Sequence, residues 1–160
     1  MTTVSSVTLS VTSAAFRQGE PIPKRYTCDG KDLSPELSWR GVPEGTETFA
    51  VIMDDSDAPR GVFTHWVYYN LPGLLRALPE GVEKLEHPEA GGTQGVNDFG
   101  NIGYNGPCPP PGPAHHYHLI VYALDRLLKP PPRPTKRELR AAMHGHVLAQ
   151  GELMGVYQRG

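Results

Sequence analysis

The sequence is poor in cysteine and has no excess of charge of either sign. Cys28 and Cys108 are the only cysteines among 160 residues. They stand far apart and form no CxxC pair, so neither a zinc cluster nor a disulfide framework is expected, and the sequence leaves any redox role open. The 15 basic and 17 acidic residues give a net charge of −2. Such a balance offers no electrostatic footprint for nucleic acid or an anionic membrane.

Long apolar runs are also absent. No stretch approaches the roughly 20 apolar residues that a membrane-spanning helix needs. The segment from Met1 to Phe16 has neither a basic residue nor an apolar run, which predicts no secretory signal. We therefore expect a cytoplasmic protein. The length fits one domain, residues 1–160, which is long enough to bury a core.

Glycine and proline, by contrast, are plentiful. The chain contains 18 glycines and 17 prolines, spread along its length, which predicts many short elements joined by well-defined turns. The longest such region, residues 91–113, is rich in Gly, Pro and Asn. Phe99 and Tyr104 give this loop side chains that can pack, so we expect it to be ordered and functional.

Apolar patterning predicts strands over most of the chain. Val7, Leu9 and Val11 alternate with polar residues, and other segments are continuously apolar. Strands are predicted at 7–12, 37–39, 48–53, 66–71, 115–124 and 153–157. One helix is predicted late in the chain, opened by a capping box of Thr135 and Glu138 and reaching towards Gly151. The sum is a mostly β protein, a β-sandwich with helical decoration.

Two carboxylates follow the predicted strand 48–53. Asp55 and Asp57 are two residues apart, so they share one side of the chain if the strand geometry persists. The same residues are equally typical of a turn that ends a strand, because Asp bonds its own backbone. His65 precedes the next apolar strand, where a single histidine can also be a structural residue with one backbone hydrogen bond.

The predicted strand 115–124 carries three histidines near its start. Strand alternation places His115 and Tyr117 on one face and His116 and His118 on the other. Only one of these sets can line a given pocket. The proline-rich residues that precede the strand restrict the backbone at low entropic cost.

Together these segments resemble the phosphatidylethanolamine-binding protein family, in its bacterial Raf-kinase-inhibitor-like branch. The resemblance covers nearly the whole chain and rests on YTCDG at 26–30, SPELSW at 34–39, DSDAP at 55–59, HW at 65–66, NDFG at 97–100, GPCPP at 106–110, HHY at 115–117 and GELMG at 151–155. It implies two packed antiparallel sheets with few helices and a cis Ala58–Pro59 bond. The pocket residues that it implies are Asp55, Asp57, His65, Pro109, His115 and Tyr117.

One position departs from the family pattern. His116 stands where the family commonly has Arg, but a residue there would point away from His115 and Tyr117, so the pocket should survive. The branch also lacks the long C-terminal helix of its animal relatives, so a more open pocket is expected. Relatives in the branch often dimerise, which makes a homodimer an expectation as well.

The residue types favour binding of a small anionic or zwitterionic ligand without catalysis. A neighbouring carboxylate stabilises an imidazolium, so His65 and His115 are expected to donate charge-assisted hydrogen bonds to phosphate-like oxygens, with the Tyr117 hydroxyl as a third donor. A spare carboxylate would accept from an ammonium, as in phosphoethanolamine. No cofactor is expected. The resemblance adds a regulatory role of the kinase- or protease-inhibitor type, with a protein partner that the sequence does not name.

Two alternatives stay open. An acid–base hydrolytic enzyme could use the Asp and His residues, although the chain has no nucleophile elbow, zincin motif or P-loop, and Ser56 and Cys108 have no evident base and orienter. A metal-binding protein could use Asp55, Asp57, His65 and His115, which are ligands suited to zinc or manganese. Their spacing matches no recognised metal motif.

Overall fold

Nine strands and one α-helix make up the computed structural model, which describes residues 7–160. Residues 1–6, with which the expected domain 1–160 and the segment from Met1 to Phe16 begin, lie outside the described part. The α-helix, α1, is Lys136–Met143, and a short 3-10 turn covers Lys24–Tyr26. The strands are β1 Val7–Thr8, β2 Ser10–Thr12, β3 Leu37–Arg40, β4 Thr48–Asp55, β5 Phe63–Pro72, β6 Ala77–Leu78, β7 Thr93–Gln94, β8 His115–Leu124 and β9 Val147–Tyr157.

The strands form a larger and a smaller sheet. The larger has six strands in the order β1-β9-β8-β4-β5-β7, and the smaller has three in the order β2-β3-β6. Every pairing is antiparallel except that of β1 with β9, which is parallel. The predicted mostly β fold of two sheets, with one α-helix near the C-terminus, is confirmed for residues 7–160.

β4 lies at the centre of the larger sheet and is buried along its whole length. Because successive side chains of a strand point to opposite faces, its residues divide between two cores. Phe49, Val51 and Met53 pack in the core shared with the smaller sheet. Ala50 and Ile52 pack in the core beneath α1. The last two residues of β4, Asp54 and Asp55, therefore also point to opposite faces of the sheet.

The helix begins where the capping box predicts. Thr135 accepts a hydrogen bond from the Glu138 backbone N–H, and the Glu138 carboxylate accepts one from the Thr135 N–H at 3.1 Å. Leu139 and Met143 then cover the sheet, both almost fully buried. Burying an apolar side chain of this size contributes about 1.5–3 kcal/mol.

Some predicted boundaries are wrong. The segment 7–12 is not one strand, because the chain leaves the larger sheet at Leu9 and continues in the smaller one. The last strand starts at Val147, so Gly151 lies within it. A side chain at Gly151 would collide with the Leu9 carbonyl. The glycine allows the two chain segments to cross closely there.

The two cysteines form a disulfide, so the expectation of none is wrong. Cys28 and Cys108 are 80 residues apart in sequence, and the long loop brings them together by returning to the turn near residue 28. The Cys28 N–H donates to the Pro107 carbonyl at 3.1 Å, and the Tyr104 hydroxyl donates to the Tyr26 carbonyl at 2.6 Å. These non-local contacts left no signature in the cysteine spacing.

Within residues 7–160, every helix is too short or too polar to cross a membrane.

Removing the disulfide should weaken the fold. Closing a loop of this length in the unfolded chain corresponds to about 4 kcal/mol in the chain-entropy treatment, and measured losses run from about 2 to 5 kcal/mol. We expect a C28S/C108S variant to lose free energy of unfolding within that range, measured by urea denaturation. Wild-type protein reduced with dithiothreitol is the matched control and should unfold at the same urea concentration as the variant. Equal urea midpoints for the variant and the oxidised wild type would contradict the prediction.

Candidate functional site

A cavity of about 160 Å³ opens at the end of β4, beside the first residues of β5 and β8. Three chain segments build its wall: the turn after β4, the start of β5, and the loop that leads into β8. The lining residues are Asp55, Ala58, Pro59, Phe63, His65, Phe99, Cys108, Pro109, Pro110 and His115. Four of the predicted pocket residues therefore meet in one cavity: Asp55, His65, Pro109 and His115.

A buried carboxylate–imidazole pair forms one wall of this cavity. The Asp55 Oδ2 atom lies 2.7 Å from the His115 Nδ1, and the side chains are only 6% and 10% exposed. The other Asp55 oxygen, Oδ1, accepts from the Asp57 backbone N–H at 2.8 Å. Because Asp55 holds His115 at Nδ1, the second ring nitrogen of His115 is left for a ligand.

A β-bulge directs His65 into the cavity. Met53 pairs with Trp66 and Asp54 pairs with Thr64, so His65 is an extra residue with no partner on β4. Without the bulge, alternation from Val67 would place His65 in the core beneath α1. Bulges redirect side chains in this way next to functional sites.

Burial makes His65 a neutral ring. Desolvation lowers the pKa of His65 below its usual value, and this outweighs the hydrogen bond to Asn105 and the charge of Asp55. Its Nδ1 lies 2.7 Å from the Asn105 carbonyl oxygen, so Nδ1 donates and Nε2 is an acceptor. The lowered pKa disfavours the charged His65 that a nearby carboxylate was expected to produce.

Tyr117 lies behind the two histidines rather than in the cavity wall. Its ring meets His65 edge-on at a centroid distance of 5.4 Å and stacks on His115 at 6.4 Å. Burial and the charge of Asp55 raise the pKa of Tyr117, so its hydroxyl is protonated. This hydroxyl is buried, and within residues 7–160 it meets no ideal hydrogen-bond geometry, although the Asp55 carboxylate is near enough to raise its pKa.

Asp57 turns away from the cavity. Its Oδ2 atom accepts from the backbone N–H of His116 at 2.7 Å and lies 2.6 Å from the ring Nδ1 of His116. These hydrogen bonds lower the pKa of Asp57. The structure thus separates two carboxylates that the sequence analysis placed on one side, because the turn after β4 ends the strand alternation at Asp55.

Two aromatic rings complete the wall. Phe63 and Phe99 meet edge-on at 4.8 Å, and each lies 5.3 Å from the His65 ring. Phe99 is 45% exposed. The sequence analysis used Phe99 only as a packing residue of the long loop and did not single out Phe63. The NDFG segment was the available signal for Phe99.

The long loop is ordered by its own side chains. The Asn97 Oδ1 accepts from the backbone N–H groups of Phe99 and Asn101, and its Nδ2 donates to the Gly103 carbonyl. A side chain at Gly106 would collide with the Tyr26 carbonyl. The predicted order of this loop is confirmed, and its tight path against the Cys28 turn fixes the cavity floor.

Two implied features do not appear. All peptide bonds in residues 7–160 are trans, so the expected cis Ala58–Pro59 bond is wrong. The same residues also contain no group of three His, Cys, Asp or Glu side chains arranged to hold a metal ion. Of the four candidate ligands, Asp55 is bound to His115, Asp57 to His116 and His65 to a backbone carbonyl.

Sequence comparison identifies the family to which the chain belongs. The family profile described as phosphatidylethanolamine-binding protein matches residues 12–158, and the chain belongs to that family. The UPF0098 protein of Aquifex aeolicus is 49% identical over 154 residues, which cover 94% of this chain and 89% of that protein. The UPF0098 protein PH1269 of Pyrococcus horikoshii is 47% identical over 150 residues, covering 92% and 75%.

Solved structures agree with this assignment. A homologue of phosphatidylethanolamine-binding protein from Chlamydia trachomatis superposes with a TM-score of 0.87 at 39% identity and covers 97% of this chain and 100% of its own. E. coli YbcL, described as a member of the mammalian family, also reaches a TM-score of 0.87, at 34% identity, covering 95% and 99%.

The neutral state of His65 should make stability depend on pH. Because its folded-state pKa lies below the unfolded value of about 6.5, the unfolded chain binds the proton first as pH falls. The free energy of unfolding should therefore drop below pH 6.5, by at most about 1.4 kcal/mol per pH unit for this one group. Urea denaturation between pH 7.5 and 4.5 measures it.

A His65→Asn variant keeps a donor for the Asn105 carbonyl but has no titrating ring at this position. Its free energy of unfolding should therefore change less between pH 7.5 and 4.5 than that of the wild type. His87→Asn, at an exposed histidine, is the control and should follow the wild type. Parallel curves for H65N and the wild type would overturn the assignment of a neutral His65.

Proposed function

We propose that the cavity binds a small anionic or zwitterionic ligand without catalysis, with phosphate and the phosphoethanolamine headgroup as the chemical class. The buried Asp55–His115 pair carries this proposal. A carboxylate within hydrogen-bond distance stabilises the imidazolium, whose free N–H is then a charged donor aimed at an anion. Family membership supports ligand binding in general.

The remaining groups suit the two ends of a zwitterion. Tyr117 stacks on His115 behind the cavity wall and supports the position of that ring. His65 offers an acceptor at Nε2, and the Phe63 and Phe99 rings offer faces for a cation. The aromatic faces replace the spare carboxylate expected from the sequence, because Asp55 is bound to His115 and Asp57 to His116.

Cavity size supports a headgroup rather than a whole lipid. A volume of about 160 Å³ is below the roughly 300–1,000 Å³ of pockets that bury drug-sized ligands. Acyl chains would therefore stay outside. The proposed ligand is either the free small molecule or a headgroup presented from a larger one.

Three expectations accompany this proposal. A regulatory role of the kinase- or protease-inhibitor type would need a protein partner, and a homodimer would contain two cavities.

A cytoplasmic location is also proposed, with a condition set by the disulfide. Disulfides persist in the cytosol of hyperthermophiles, whereas the cytosol of mesophiles keeps thiols reduced. Alkylation of unreduced protein taken directly from the source cells checks that condition.

Anion binding should weaken as pH rises. Sulfate is the probe, since its charge is constant across the range, and isothermal titration calorimetry at pH 6.0 and 8.5 measures the affinity. Loss of the imidazolium proton removes the charged donor, so we expect a higher Kd at pH 8.5. His115→Gln should weaken binding at pH 6.0 by about tenfold or more, the equivalent of one charge-assisted hydrogen bond. His87→Gln is the matched control.

Sulfate affinity that rises with pH, or an H115Q variant that binds like the wild type, would sink the imidazolium proposal. O-Phosphoethanolamine separates the two ends of the site. Phe99→Leu should weaken its binding while sulfate affinity stays unchanged, because only the ammonium uses the aromatic wall.

A further inference from the structure

A second polar arrangement lies on the opposite face of the larger sheet. The Ser56 Oγ is 3.0 Å from the His118 Nε2, and the His118 Nδ1 is 2.8 Å from the Glu152 Oε2. None of these three residues lines the cavity. The chain therefore contains a hydroxyl, an imidazole and a carboxylate in one connected row, separate from the proposed ligand site.

Three chain segments hold this row in place. His118 lies on the face of β8 opposite to Tyr117, by strand alternation. Glu152, on β9, is paired with Ile120 of β8, so its side chain lies on the same face of the sheet as that of His118. Ser56 follows β4, and its backbone N–H donates to the His116 carbonyl at 3.1 Å. Backbone pairing, rather than side-chain packing alone, brings the three groups together.

The carboxylate determines which ring nitrogen of His118 carries the proton. An ionised Glu152 can only accept, so the neutral imidazole donates from Nδ1 and keeps its lone pair on Nε2. That lone pair faces the Ser56 hydroxyl. Ser56 has a second acceptor nearby, the His116 carbonyl, but at the longer distance of 3.5 Å. Nucleophile, base and orienter thus stand in the order that acyl-transfer enzymes use.

We propose that Ser56 is an activated nucleophile that reacts with small, uncharged, activated esters. His118 is the general base and Glu152 is a positioning residue. The Ser56 oxygen forms a bond to the acyl carbon while its proton passes to the His118 Nε2. The bond from the acyl carbon to the leaving oxygen then breaks, and that oxygen takes the proton. Water, deprotonated by His118, hydrolyses the acyl-serine and returns free acid and Ser56.

The surroundings define the substrate class. Ser56 is exposed and Glu152 is 47% exposed, so the row lies at an open surface, which suits small acyl groups. The charges facing the row are mostly paired with one another, since Lys136 binds Asp54 and His116 binds Asp57. The half-exposed carboxylate of Glu152, at the end of the row, disfavours anionic substrates.

Leaving-group chemistry follows from the backbone. The N–H groups of Ser56 and Asp57 already donate to other acceptors, at 3.1 and 2.8 Å. Neither is free to stabilise an oxyanion, which in acyl-transfer enzymes is a large share of the rate enhancement. The reaction is therefore restricted to esters with good leaving groups and to phosphorylating reagents that carry one.

The test measures covalent modification of the folded protein. Diisopropyl fluorophosphate should add one diisopropylphosphoryl group, with fluoride as the leaving group, and peptide mapping by mass spectrometry should place it on Ser56. We expect Ser56→Ala to abolish this adduct. His118→Gln should slow its formation by about 100-fold or more, the usual contribution of a general base. p-Nitrophenyl acetate hydrolysis should fall in the same variants.

Matched controls exist in the same chain. Among residues 7–160, the Ser38 hydroxyl donates to Glu36 at 2.6 Å without an imidazole partner, and the His146 Nδ1 lies 3.1 Å from Asp125 without a serine partner. Ser38→Ala and His146→Gln should react like the wild type. No adduct on Ser56, or one that forms equally fast in the H118Q variant, would refute the proposal.

The positioning role of Glu152 has its own readout. In the wild type, ¹H–¹⁵N NMR should show the His118 ring protonated at Nδ1. Glu152→Leu, which has no acceptor, should remove this tautomer preference and slow labelling, whereas Ser56→Ala should leave the tautomer unchanged. A tautomer that is the same in E152L and the wild type would overturn the role. Sulfate calorimetry on each variant reports on the cavity separately, so failure of either proposal can be recognised.

Discussion

The arrangement of both sites depends on the burial of β4 on its two faces. A strand covered on both sides must send neighbouring residues into different environments. Asp54 and Asp55 are adjacent, and each is almost fully buried. A buried carboxylate is costly unless it is paired, and each has a different partner, Lys136 at 2.6 Å and His115 at 2.7 Å. One step along the chain thus produces a cation-bound carboxylate under α1 and an imidazole-bound carboxylate beside the cavity.

Local patterns in the sequence predicted the parts of the fold that depend on local physics. β8 was predicted with its observed limits, and the capping box of α1 at its observed position, because apolar periodicity and capping are properties of neighbouring residues. Alternation also separated His115 from His118, which the structure places at different sites. His65 could not be placed in this way. Its direction depends on a bulge, and a bulge exists only relative to the partner strand, which the sequence of β5 does not specify.

The charge states and the disulfide were not predictable for a related reason. Proximity of His65 to carboxylates can be inferred from a motif, but the degree of burial cannot, and burial outweighs the carboxylate charge at this ring. Cys28 and Cys108 meet only because the loop 91–113 folds back on the turn near residue 28. Cysteine spacing carries no information on such a return. In both cases the outcome depends on contacts between residues that are distant in the sequence.

The short turn after β4 joins the two sites without merging them. Asp55 faces His115, Ser56 faces His118, and Asp57 holds His116, so three consecutive residues engage three of the histidine side chains of β8. No side-chain hydrogen bond connects the Asp55 pair to the Ser56 row within residues 7–160. Their common element is backbone, since Ser56 and Asp57 both bond to main-chain groups of His116. Because the two sites share this turn and the main chain of His116, a change in the turn backbone would move both.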